Sequence, residues 1–475
     1  MIPGWNNGDP MTRPVDNPAP RIDLARPMRC HVVGVCGPGM SAVAILLARM
    51  GHSVSGSDLN SSDTVRTLGA SGVEVHIGHE ASLVHGSDIV VYSTAIPQTN
   101  IELVESRSMG IPTVHRSVML AAITAAHRSV GVAGTHGKTT TTSLLTVMLR
   151  AGGADPSYYI GADVFELGGA GLGSDGTMVV EADESDGTAQ SMVLSSMILT
   201  NVDADHLDHF GTVDRIEDEF VGMAQRLVGA FVVCGDDERA ARVARRAACP
   251  RTVTYGFGPH NDVIVSGPRP TESGISFVAR VHGVDVPIDL PLRGSHNALN
   301  CAAALAMAVE LGVDAGVAAR SVAGFRGVDR RFIEHGTHRG ALLIDDYAHL
   351  PAEIAAVLAA VRTHPRCTGR VIAVFQPNRY HRIATMSADY AGCFAGADAV
   401  FVTDIYASGT TRIEGVTGML VVDAVRTSHG AVTWAETRAE LVAAVDRALA
   451  PGDVCISMGC GDIADFPDQL RAVPG

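Results

Sequence analysis

The chain has 475 residues, of which 46% are hydrophobic and 18% are charged, and its formal net charge is −15. This length exceeds the size at which one hydrophobic core keeps growing, so we expect two to four domains. The composition predicts a folded soluble protein without a membrane partner, since no apolar run approaches the ~20 residues that cross a bilayer, and the absence of a basic cluster argues against nucleic acid as a partner.

The first 28 residues contain six prolines and no apolar run of the kind found in signal peptides. Residues 1–28 are therefore predicted to be a disordered N-terminal extension of a cytoplasmic protein. The nine cysteines form no CxxC pair and show no metal-ligand spacing. This pattern favours reduced thiols over disulfides or a zinc site.

An α/β domain is predicted over residues 29–128. A strand (CHVVGV) leads through a glycine turn (CGPGM) into a helix and then into a second strand that ends at Asp58, which is the pattern of a parallel sheet. The turn is close to the dinucleotide fingerprint G-x-G-x-x-G, but Cys36 replaces the middle glycine. NAD binding and a plain turn between strand and helix both stay open on these residues.

A second α/β domain is predicted over residues 129–324, and it begins with the stretch GVAGTHGKTTTTS. Lys138 in this stretch is the only lysine among 36 basic residues, and a compact ammonium is not interchangeable with a guanidinium. A strand, a glycine turn and a helix in this order are typical of a nucleotide loop, in which backbone amides and the lysine bind phosphates and Thr139 binds Mg²⁺. A strict motif has glycine where this chain has Val132, so a coincidental glycine turn is the alternative.

Two acidic clusters follow predicted strands of the second domain, EADESD at 181–186 and DADHLDH at 203–209. Carboxylates at strand ends are often helix caps, but beside a phosphate loop they offer the oxygen ligands that Mg²⁺ prefers. The helix that starts at GSHNALN places Asn297 and Asn300 on one face. The stretch GPRPTESG at 267–274 predicts a surface loop.

A third α/β domain is predicted over residues 325–475, where apolar strands such as ALLIDDYA and RVIAVFQP alternate with helices. Three consecutive α/β domains are the simplest fold for the chain. Ligands of such sheets bind outside the carboxyl ends of the strands, and each polar cluster lies at such an end. The arginines of GVDRRF and FQPNRYHR are suited to carboxylates and phosphates, with ordinary surface arginines as the alternative.

Taken in order, these strings resemble the Mur ligase family over roughly residues 30–465. The resemblance rests on VAGTHGKTTTTS, EADESD, TNVDADHLD, HNALN, GVDRRF, DDYAH-P-E, FQPNRYHR, DIYA and MGCGD. It implies a Rossmann-like UDP-sugar domain, a central P-loop ATPase domain and a C-terminal Rossmann-like domain that binds an amino acid. It also implies an amide ligase of peptidoglycan synthesis that uses ATP and Mg²⁺. Such an enzyme joins L-alanine to the lactyl carboxylate of UDP-N-acetylmuramate through an acyl phosphate and releases ADP and phosphate.

The resemblance also implies site residues. The catalytic group comprises Lys138, Glu181, His206, Arg331 and Asp346. Mg²⁺ would be bound by Thr139, Glu181 and His206. ATP would be bound by Gly134, Thr135, His136, Gly137, Lys138, Thr139, Thr140, Asn297, Asn300 and Arg331. The UDP-sugar would be bound by Cys36, Gly37, Pro38, Gly39, Met40, Ser57, Asp58, Ser93, Thr94, Ala95 and Arg116, and the amino acid by Tyr347, His349, Arg379 and Arg382.

Departures from the family pattern bear on the acceptor. Leu350, Asn378 and His381 replace residues that are usual in the family, and GVCGPGM is similar to the loop of the relative that reattaches recycled murein tripeptide. A recycling ligase and a paralogue with another acceptor are therefore alternatives within the class. An NAD-dependent oxidoreductase and a nucleotide-gated binding module without chemistry are alternatives from other classes. We expect a monomer or a homodimer.

Overall fold

Three separate sheets follow one another along the chain, and each has helices packed against it. The structure is a computed structural model that describes residues 22–473 except for residues 60, 61, 163, 166, 185, 186 and 206–209. The three sheets confirm the predicted fold class of three consecutive α/β domains. No helix in the described part of the chain is long and apolar enough to cross a membrane.

The N-terminal sheet has five parallel strands in the order β3-β2-β1-β4-β5. Its strands are Arg29–Val33 (β1), Ser53–Asp58 (β2), Val73–Ile77 (β3), Ile89–Tyr92 (β4) and Thr113–His115 (β5). Its helices are Pro38–Arg49 (α1), Asp63–Ala70 (α2), Ile101–Ser108 (α3) and Arg116–Ala125 (α4). The order of strands changes direction at β1, and this is where open parallel sheets place their ligands.

The central sheet has ten strands in the order β15-β14-β13-β12-β11-β10-β6-β9-β7-β8. The strands are Arg128–Ala133 (β6), Ser157–Tyr159 (β7), Ala170–Gly171 (β8), Thr177–Glu181 (β9), Ser196–Leu199 (β10), Phe231–Cys234 (β11), Thr252–Gly256 (β12), Val263–Pro270 (β13), Ile275–Val281 (β14) and Val284–Leu290 (β15). The helices are Lys138–Ala151 (α5), Thr188–Ser191 (α6), Val213–Ala224 (α7), Glu238–Ala247 (α8), Ser295–Glu310 (α9) and Ala315–Ser321 (α10). The middle of the sheet is parallel, whereas β13, β14 and β15 pair antiparallel.

The prediction of a surface loop at 267–274 is wrong in its first half. Residues 267–270 belong to β13, and only the turn 271–274 connects this strand to β14. The prolines and the glycine fit a strand here because the pairing shifts register between Ser266 and Arg269, and such a bulge tolerates residues that cannot continue a regular ladder.

The C-terminal sheet has six strands in the order β16-β17-β21-β18-β19-β20, and only β16 is antiparallel to its neighbour. The strands are Ile333–His338 (β16), Ala341–Asp346 (β17), Val371–Phe375 (β18), Ala399–Val402 (β19), Val432–Trp434 (β20) and Val454–Met458 (β21). The helices are Pro351–Arg362 (α11), Tyr380–Met386 (α12), Met419–Arg426 (α13), Arg438–Ala448 (α14) and Phe466–Arg471 (α15).

Helix α5 is buried along most of its length although its first half is rich in threonine. The hydroxyl groups of Thr142, Ser143 and Thr146 each donate to the carbonyl four residues earlier, at 2.7 to 2.8 Å. These bonds satisfy three of the buried hydroxyl groups, whereas Thr141 Oγ1 is buried without a hydrogen-bond partner among the described residues. The alanine-rich helix α9 packs against α5 with a buried face from Cys301 to Ala308. The start of α5 is thereby held rigidly at the end of β6.

Candidate active site

The loop between β6 and α5 needs glycine at both of its ends. Gly134 has a φ of +122° and Gly137 has a φ of +81°, which are left-handed values that other residues rarely adopt. A Cβ at Gly134 would lie 2.8 Å from the carbonyl oxygen of Asn201, and one at Gly137 would overlap the amide of Asn300. The backbone N–H of His136 donates to Asn201 Oδ1 at 2.8 Å. The loop is therefore fixed against the end of β10, with the N–H groups of Thr135 and His136 both bound by Asn201.

The ammonium of Lys138 lies inside this loop. Lys138 Nζ donates to the carbonyl of Gly134 at 2.7 Å and to Glu184 Oε2 at 3.0 Å, and it lies 3.7 Å from Asp183 Oδ1. Its side chain is only 11% exposed. Burial alone would lower the pKa of Lys138, but Glu184, Asp183 and Glu181 overcome this and raise it. The lysine is therefore a buried, permanent positive charge at the phosphate loop.

Thr139 and Glu181, two of the predicted metal ligands, are in direct contact. The Thr139 hydroxyl donates to Glu181 Oε1 at 3.1 Å, and the backbone N–H of Gly161 donates to Glu181 Oε2 at 2.9 Å. Burial raises the pKa of Glu181, with Lys138 acting against it. A carboxylate and a hydroxyl beside a phosphate loop are hard oxygen donors of the kind that fit Mg²⁺. His206, the third predicted ligand, lies outside the described residues.

A cavity of about 450 Å³ opens from the phosphate loop toward the C-terminal domain. Seven of the ten residues predicted to bind ATP line it, namely His136, Gly137, Thr139, Thr140, Asn297, Asn300 and Arg331. The other three, Gly134, Thr135 and Lys138, belong to the same loop but do not line the cavity. Asn300 Nδ2 donates to Asn297 Oδ1 at 3.1 Å, so the two asparagines fix each other on one face of α9. The cavity brings the predicted nucleotide residues together.

Glu353, which the sequence interpretation did not name as a site residue, connects the C-terminal domain to the phosphate loop. Its Oε1 lies 3.2 Å from His136 Nδ1, while His136 Nε2 lies 3.4 Å from Asp203 Oδ2. Burial alone would lower the pKa of His136, but the two carboxylates raise it to about 9. Glu353 Oε2 also accepts from the backbone N–H groups of His349 and Leu350 at 3.0 and 3.2 Å. In the sequence it is an acidic residue in the first turn of a helix and the last residue of the motif DDYAH-P-E, without an assigned role.

Asp346 and Arg331 lie on the C-terminal side of the same cavity. The carboxylate of Asp346 accepts from the backbone N–H of Phe332 at 2.9 Å and of Ala348 at 2.8 Å. Burial raises the pKa of Asp346 to about 6, although Arg331 acts against it. The Arg331 guanidinium lies 5.1 Å from the centre of the Tyr347 ring and 4.0 Å from Glu353 Oε1. Asp346 thus fixes the turn that carries Arg331.

The predicted amino-acid residues lie around the start of α12. Arg382 donates to Asp205 Oδ1 of the central domain at 2.7 Å and to Asn378 Oδ1 at 2.8 Å, and both Arg382 and Asp205 are buried. Arg379 precedes α12 with a φ of +60°, and its Nε is buried without a hydrogen-bond partner among the described residues. Asn378, one of the departures from the family pattern, therefore holds Arg382.

Tyr347 and His349 lie next to each other in the turn before α11, with ring centres 5.5 Å apart. Burial lowers the pKa of His349 to about 4, so its imidazole is neutral at physiological pH. Its Nδ1 lies 3.1 Å from the carbonyl oxygen of Tyr347, and its own carbonyl accepts from the hydroxyl of Tyr390 at 2.8 Å. Leu350 is buried and His381 is exposed.

The predicted UDP-sugar residues lie at the carboxyl ends of β1, β2, β4 and β5. The N–H of Cys36 donates to Asp58 Oδ2 at 2.9 Å, which joins the glycine turn to the end of β2. The Arg116 guanidinium lies so close to Gly39 that a Cβ there would overlap it. The hydroxyl of Tyr159, from the central domain, donates to the carbonyl of Gly39 at 3.4 Å.

The other UDP-sugar candidates differ in how far they face solvent. Ser93 is half-buried and accepts from the N–H of Ile96 at 3.0 Å, while Thr94 and Ala95 are exposed. Gly37 ends the turn before α1, and Met40 is buried in the core. The Ser57 hydroxyl is buried and donates to Glu102 at 2.7 Å, so it faces the interior of the domain.

The family models for Mur ligases match the chain in three consecutive parts. The Mur ligase family catalytic domain matches residues 29–128, the Mur ligase middle domain matches residues 132–308, and the Mur ligase glutamate ligase domain matches residues 330–461. The chain belongs to the Mur ligase family. This membership confirms the resemblance seen in the motifs. It excludes the alternative of a nicotinamide-dependent oxidoreductase.

Several curated relatives of this Mur ligase carry the same name. A UDP-N-acetylmuramate–L-alanine ligase of Sorangium cellulosum is 41% identical over 448 residues, which cover 93% of this chain and 95% of the relative. One of Rubrobacter xylanophilus is 41% identical over 452 residues, which cover 94% of this chain and all of the relative. Among solved structures, the UDP-N-acetylmuramate-alanine ligase of Thermotoga maritima matches with a TM-score of 0.76 and 25% identity, over 93% of this chain and 98% of that chain. A murein peptide ligase of Psychrobacter arcticus shares the fold, with a TM-score of 0.69 and 21% identity over 94% and 100% of the two chains.

Proposed function

We propose that this Mur ligase is an ATP-dependent ligase that joins L-alanine to the lactyl carboxylate of UDP-N-acetylmuramate in peptidoglycan synthesis. The observation that carries the proposal is about 40% identity, over more than 90% of both chains, to several ligases with this name. The phosphate loop and the cavity beside it agree with the use of ATP. The residue roles below are part of the same proposal.

The reaction needs activation because a carboxylate does not react with an amine at neutral pH. A lactyl carboxylate oxygen attacks the γ-phosphorus of ATP, the bond to the β-phosphate oxygen breaks, and ADP leaves. The amine of L-alanine then attacks the carbonyl carbon of the acyl phosphate, phosphate leaves, and the nitrogen loses a proton to give the amide. Phosphoryl transfer of this kind depends on positioning the reactants and on neutralising the charge of the transferring group.

The phosphate loop supplies the positive charge. Lys138 would bind the phosphates of ATP, and its raised pKa keeps it protonated during the reaction. The backbone amides at the start of α5 are the other donors that a phosphate group would find there. Thr139 and Glu181, together with the predicted ligand His206, would hold Mg²⁺, which when bound offsets the negative charge of the phosphates. Arg331 would add a second cation from the C-terminal domain.

The C-terminal domain would position the amino acid. Arg379 has a guanidinium nitrogen without a partner among the described residues, and an α-carboxylate is a suitable acceptor for it. The Arg382 guanidinium is already held by Asp205 and Asn378, so we assign it the role of fixing α12 beside the central domain. His349 is neutral, and its backbone N–H donates to Glu353 in the first turn of α11.

The N-terminal domain would hold the UDP part of the substrate at the glycine turn and Arg116. We also propose that the enzyme acts in the cytoplasm as a monomer or homodimer, without a nucleic-acid or membrane partner. The proposed domain limits are those expected from the sequence, 29–128, 129–324 and 325–475, after the extension 1–28.

The decisive experiment is mass spectrometry of the product formed with ATP, Mg²⁺, UDP-N-acetylmuramate and a panel of amino acids and murein tripeptide. We expect phosphate release and a new UDP-linked mass only when L-alanine is present with the other three reactants. Turnover with the tripeptide and none with L-alanine would instead assign the chain to the recycling ligases. A product with a different amino acid would identify a paralogue with another acceptor.

A further inference from the structure

A buried carboxylate, that of Glu102, lies behind the glycine turn of the N-terminal domain. Glu102 lies in the first turn of α3, where Asn100 Oδ1 accepts from its backbone N–H at 2.9 Å and caps the helix. The side chain has no exposed surface. Burying a carboxylate costs several kcal/mol unless other groups bind it, so its partners indicate what it does.

Four groups from three different segments bind this carboxylate. Oε2 accepts from the Ser57 hydroxyl at 2.7 Å and lies 3.3 Å from His31 Nε2. Oε1 lies 3.3 Å from His79 Nδ1 and accepts from the backbone N–H of Glu80 at 3.2 Å. Burial alone would raise the pKa of Glu102, but the contacts from His31 and Ser57 outweigh it and lower the pKa. The carboxylate is therefore an anion inside the domain.

Ser57 connects this anion to the glycine turn. The carbonyl oxygen of Ser57 accepts from the N–H groups of Gly34 and Val35 at 2.8 and 3.0 Å. The next residue, Asp58, accepts from the N–H of Cys36 at 2.9 Å. The N–H groups of Gly34, Val35 and Cys36 are thus bound by Ser57 and Asp58 at the end of β2. The side chain of Ser57 is in turn held by Glu102.

We infer that Glu102 is a positioning residue for the UDP-sugar: by fixing Ser57, it sets where the glycine turn presents residues 36–40 to the substrate. The inference rests on the proposed function. Glu102 has no exposed surface with which to contact a ligand, and it reaches the glycine turn through Ser57. Helix α3 also packs through Leu103, which is buried with Val33, Val84 and Val90 in a hydrophobic cluster that a change at Glu102 leaves in place.

Glu102→Gln is the direct test, because glutamine keeps the size of the side chain but replaces one acceptor oxygen with an NH₂ group. We expect the KM for UDP-N-acetylmuramate to rise about tenfold, the factor that corresponds to about 1.4 kcal/mol. The kcat and the KM values for ATP and L-alanine should stay within about twofold of wild type. Calorimetric titration of the whole enzyme with UDP-N-acetylmuramate, without ATP, should show the same rise in Kd.

Glu105→Gln is the matched control. Glu105 lies one turn later on the same helix, and its carboxylate lies 2.9 Å from His85 Nε2, away from the glycine turn. We expect wild-type KM and Kd values for this variant. Wild-type values for Glu102→Gln would overturn the inference, and so would a fall in kcat together with a rise in all three KM values, which a general structural role would produce.

Ser57→Ala repeats the test if Glu102→Gln does not fold, because it removes the hydroxyl that Glu102 holds. A several-fold rise in the Kd for UDP-N-acetylmuramate supports the inference, and an unchanged Kd overturns it. The wild-type titration separates the two proposals. If the wild-type enzyme fails to bind UDP-N-acetylmuramate, the proposed function falls and this inference with it, whereas wild-type binding with unchanged variants refutes only the role of Glu102.

Discussion

Replacing Glu353 with glutamine should weaken the contact between the C-terminal domain and the phosphate loop. Glu353 and Asp203 hold the two nitrogens of the His136 ring, at 3.2 and 3.4 Å, and raise the pKa of His136 from its ordinary value of 6.5 to about 9. Each pKa unit corresponds to about 1.4 kcal/mol, so the shift amounts to about 3–4 kcal/mol. If the two carboxylates share this equally, removing Glu353 costs about 2 kcal/mol.

The pH dependence has a definite sign. Because the pKa of His136 in the folded protein lies above its ordinary value, the ion pair contributes fully below pH 6.5 and is lost as the pH rises through about 9. We expect kcat/KM for ATP to fall on the alkaline side with an apparent pKa near 9. In Glu353→Gln the apparent pKa of this alkaline limb should fall by about one unit, because about half of the interaction with His136 is lost.

A double-mutant cycle isolates the contact. His136→Asn, Glu353→Gln and the double variant should give a coupling energy of about 2 kcal/mol in kcat/KM, whereas independent sites add within about 0.5 kcal/mol. Glutamine keeps an oxygen for the N–H groups of His349 and Leu350, so the start of α11 is preserved. NMR titration of the His136 ring gives its pKa directly.

Asp203→Asn is the comparison variant for this cycle. It removes the other carboxylate from the same ring but leaves the contact between the two domains. It should therefore lower the pKa of His136 and leave the affinity for L-alanine unchanged. A coupling energy below about 0.5 kcal/mol between His136 and Glu353, or an alkaline limb that does not move in Glu353→Gln, would refute the reasoning.

Three further predictions concern the central domain. Lys138→Arg should lower kcat at least about 100-fold, or about 3 kcal/mol, because a guanidinium does not fit between Gly134 and Glu184. Phosphate release measures this, and near-normal turnover would contradict it. Thr139→Val should raise the Mg²⁺ concentration for half-maximal activity about tenfold or more, with an unchanged response meaning that the hydroxyl does not bind the metal. Asp205→Ala breaks a buried ion pair, which costs about 3–5 kcal/mol and should lower the melting temperature measured by calorimetry. Adding Arg382→Met to this variant should recover part of the lost stability, and additive losses would argue against the ion pair.

The phosphate loop could be predicted from the sequence because its parts are close together in the chain. The strand, the two glycines, Lys138 and the helix lie within about two dozen residues, and each has a local reason to be there. The polar clusters after β9 and β10 could also be placed, since the carboxyl ends of parallel strands lie at one edge of the sheet. These rules place residues at an edge, and they do not say which side chains meet.

The contacts between domains could not be predicted in this way. His136 and Glu353 are separated by 217 residues, and Arg382 and Asp205 by 177. In the sequence, Glu353 has the local role of a residue in the first turn of a helix, and this role is real, because its Oε2 accepts from the N–H groups that precede α11. Its other oxygen, Oε1, contacts His136 of the central domain, and no local sequence pattern indicates this contact.

Ser57 illustrates the same limit within one domain. Its position at the end of β2 correctly predicts that it lies beside the glycine turn, but position along a strand does not decide which way a hydroxyl points. The hydroxyl faces inward because Glu102, on a helix 45 residues later, offers it a charged acceptor at 2.7 Å. The hydroxyl points inward rather than toward solvent because leaving the buried carboxylate without this hydrogen bond would cost more free energy.

The space around Lys138 gives a physical reason for the only lysine of the chain. Its ammonium has three donors in a compact group, and the carbonyl of Gly134 at 2.7 Å and both oxygens of Glu184 at 3.0 and 3.2 Å lie within reach of them. A planar guanidinium is wider and spreads five donors over a fixed fork, so it would have to displace the loop carbonyl or the carboxylate. Displacing the carbonyl moves Gly134, whose left-handed backbone lies directly against Asn201. Arginine therefore suffices at the other 35 basic positions, whereas the geometry of this loop requires the smaller cation.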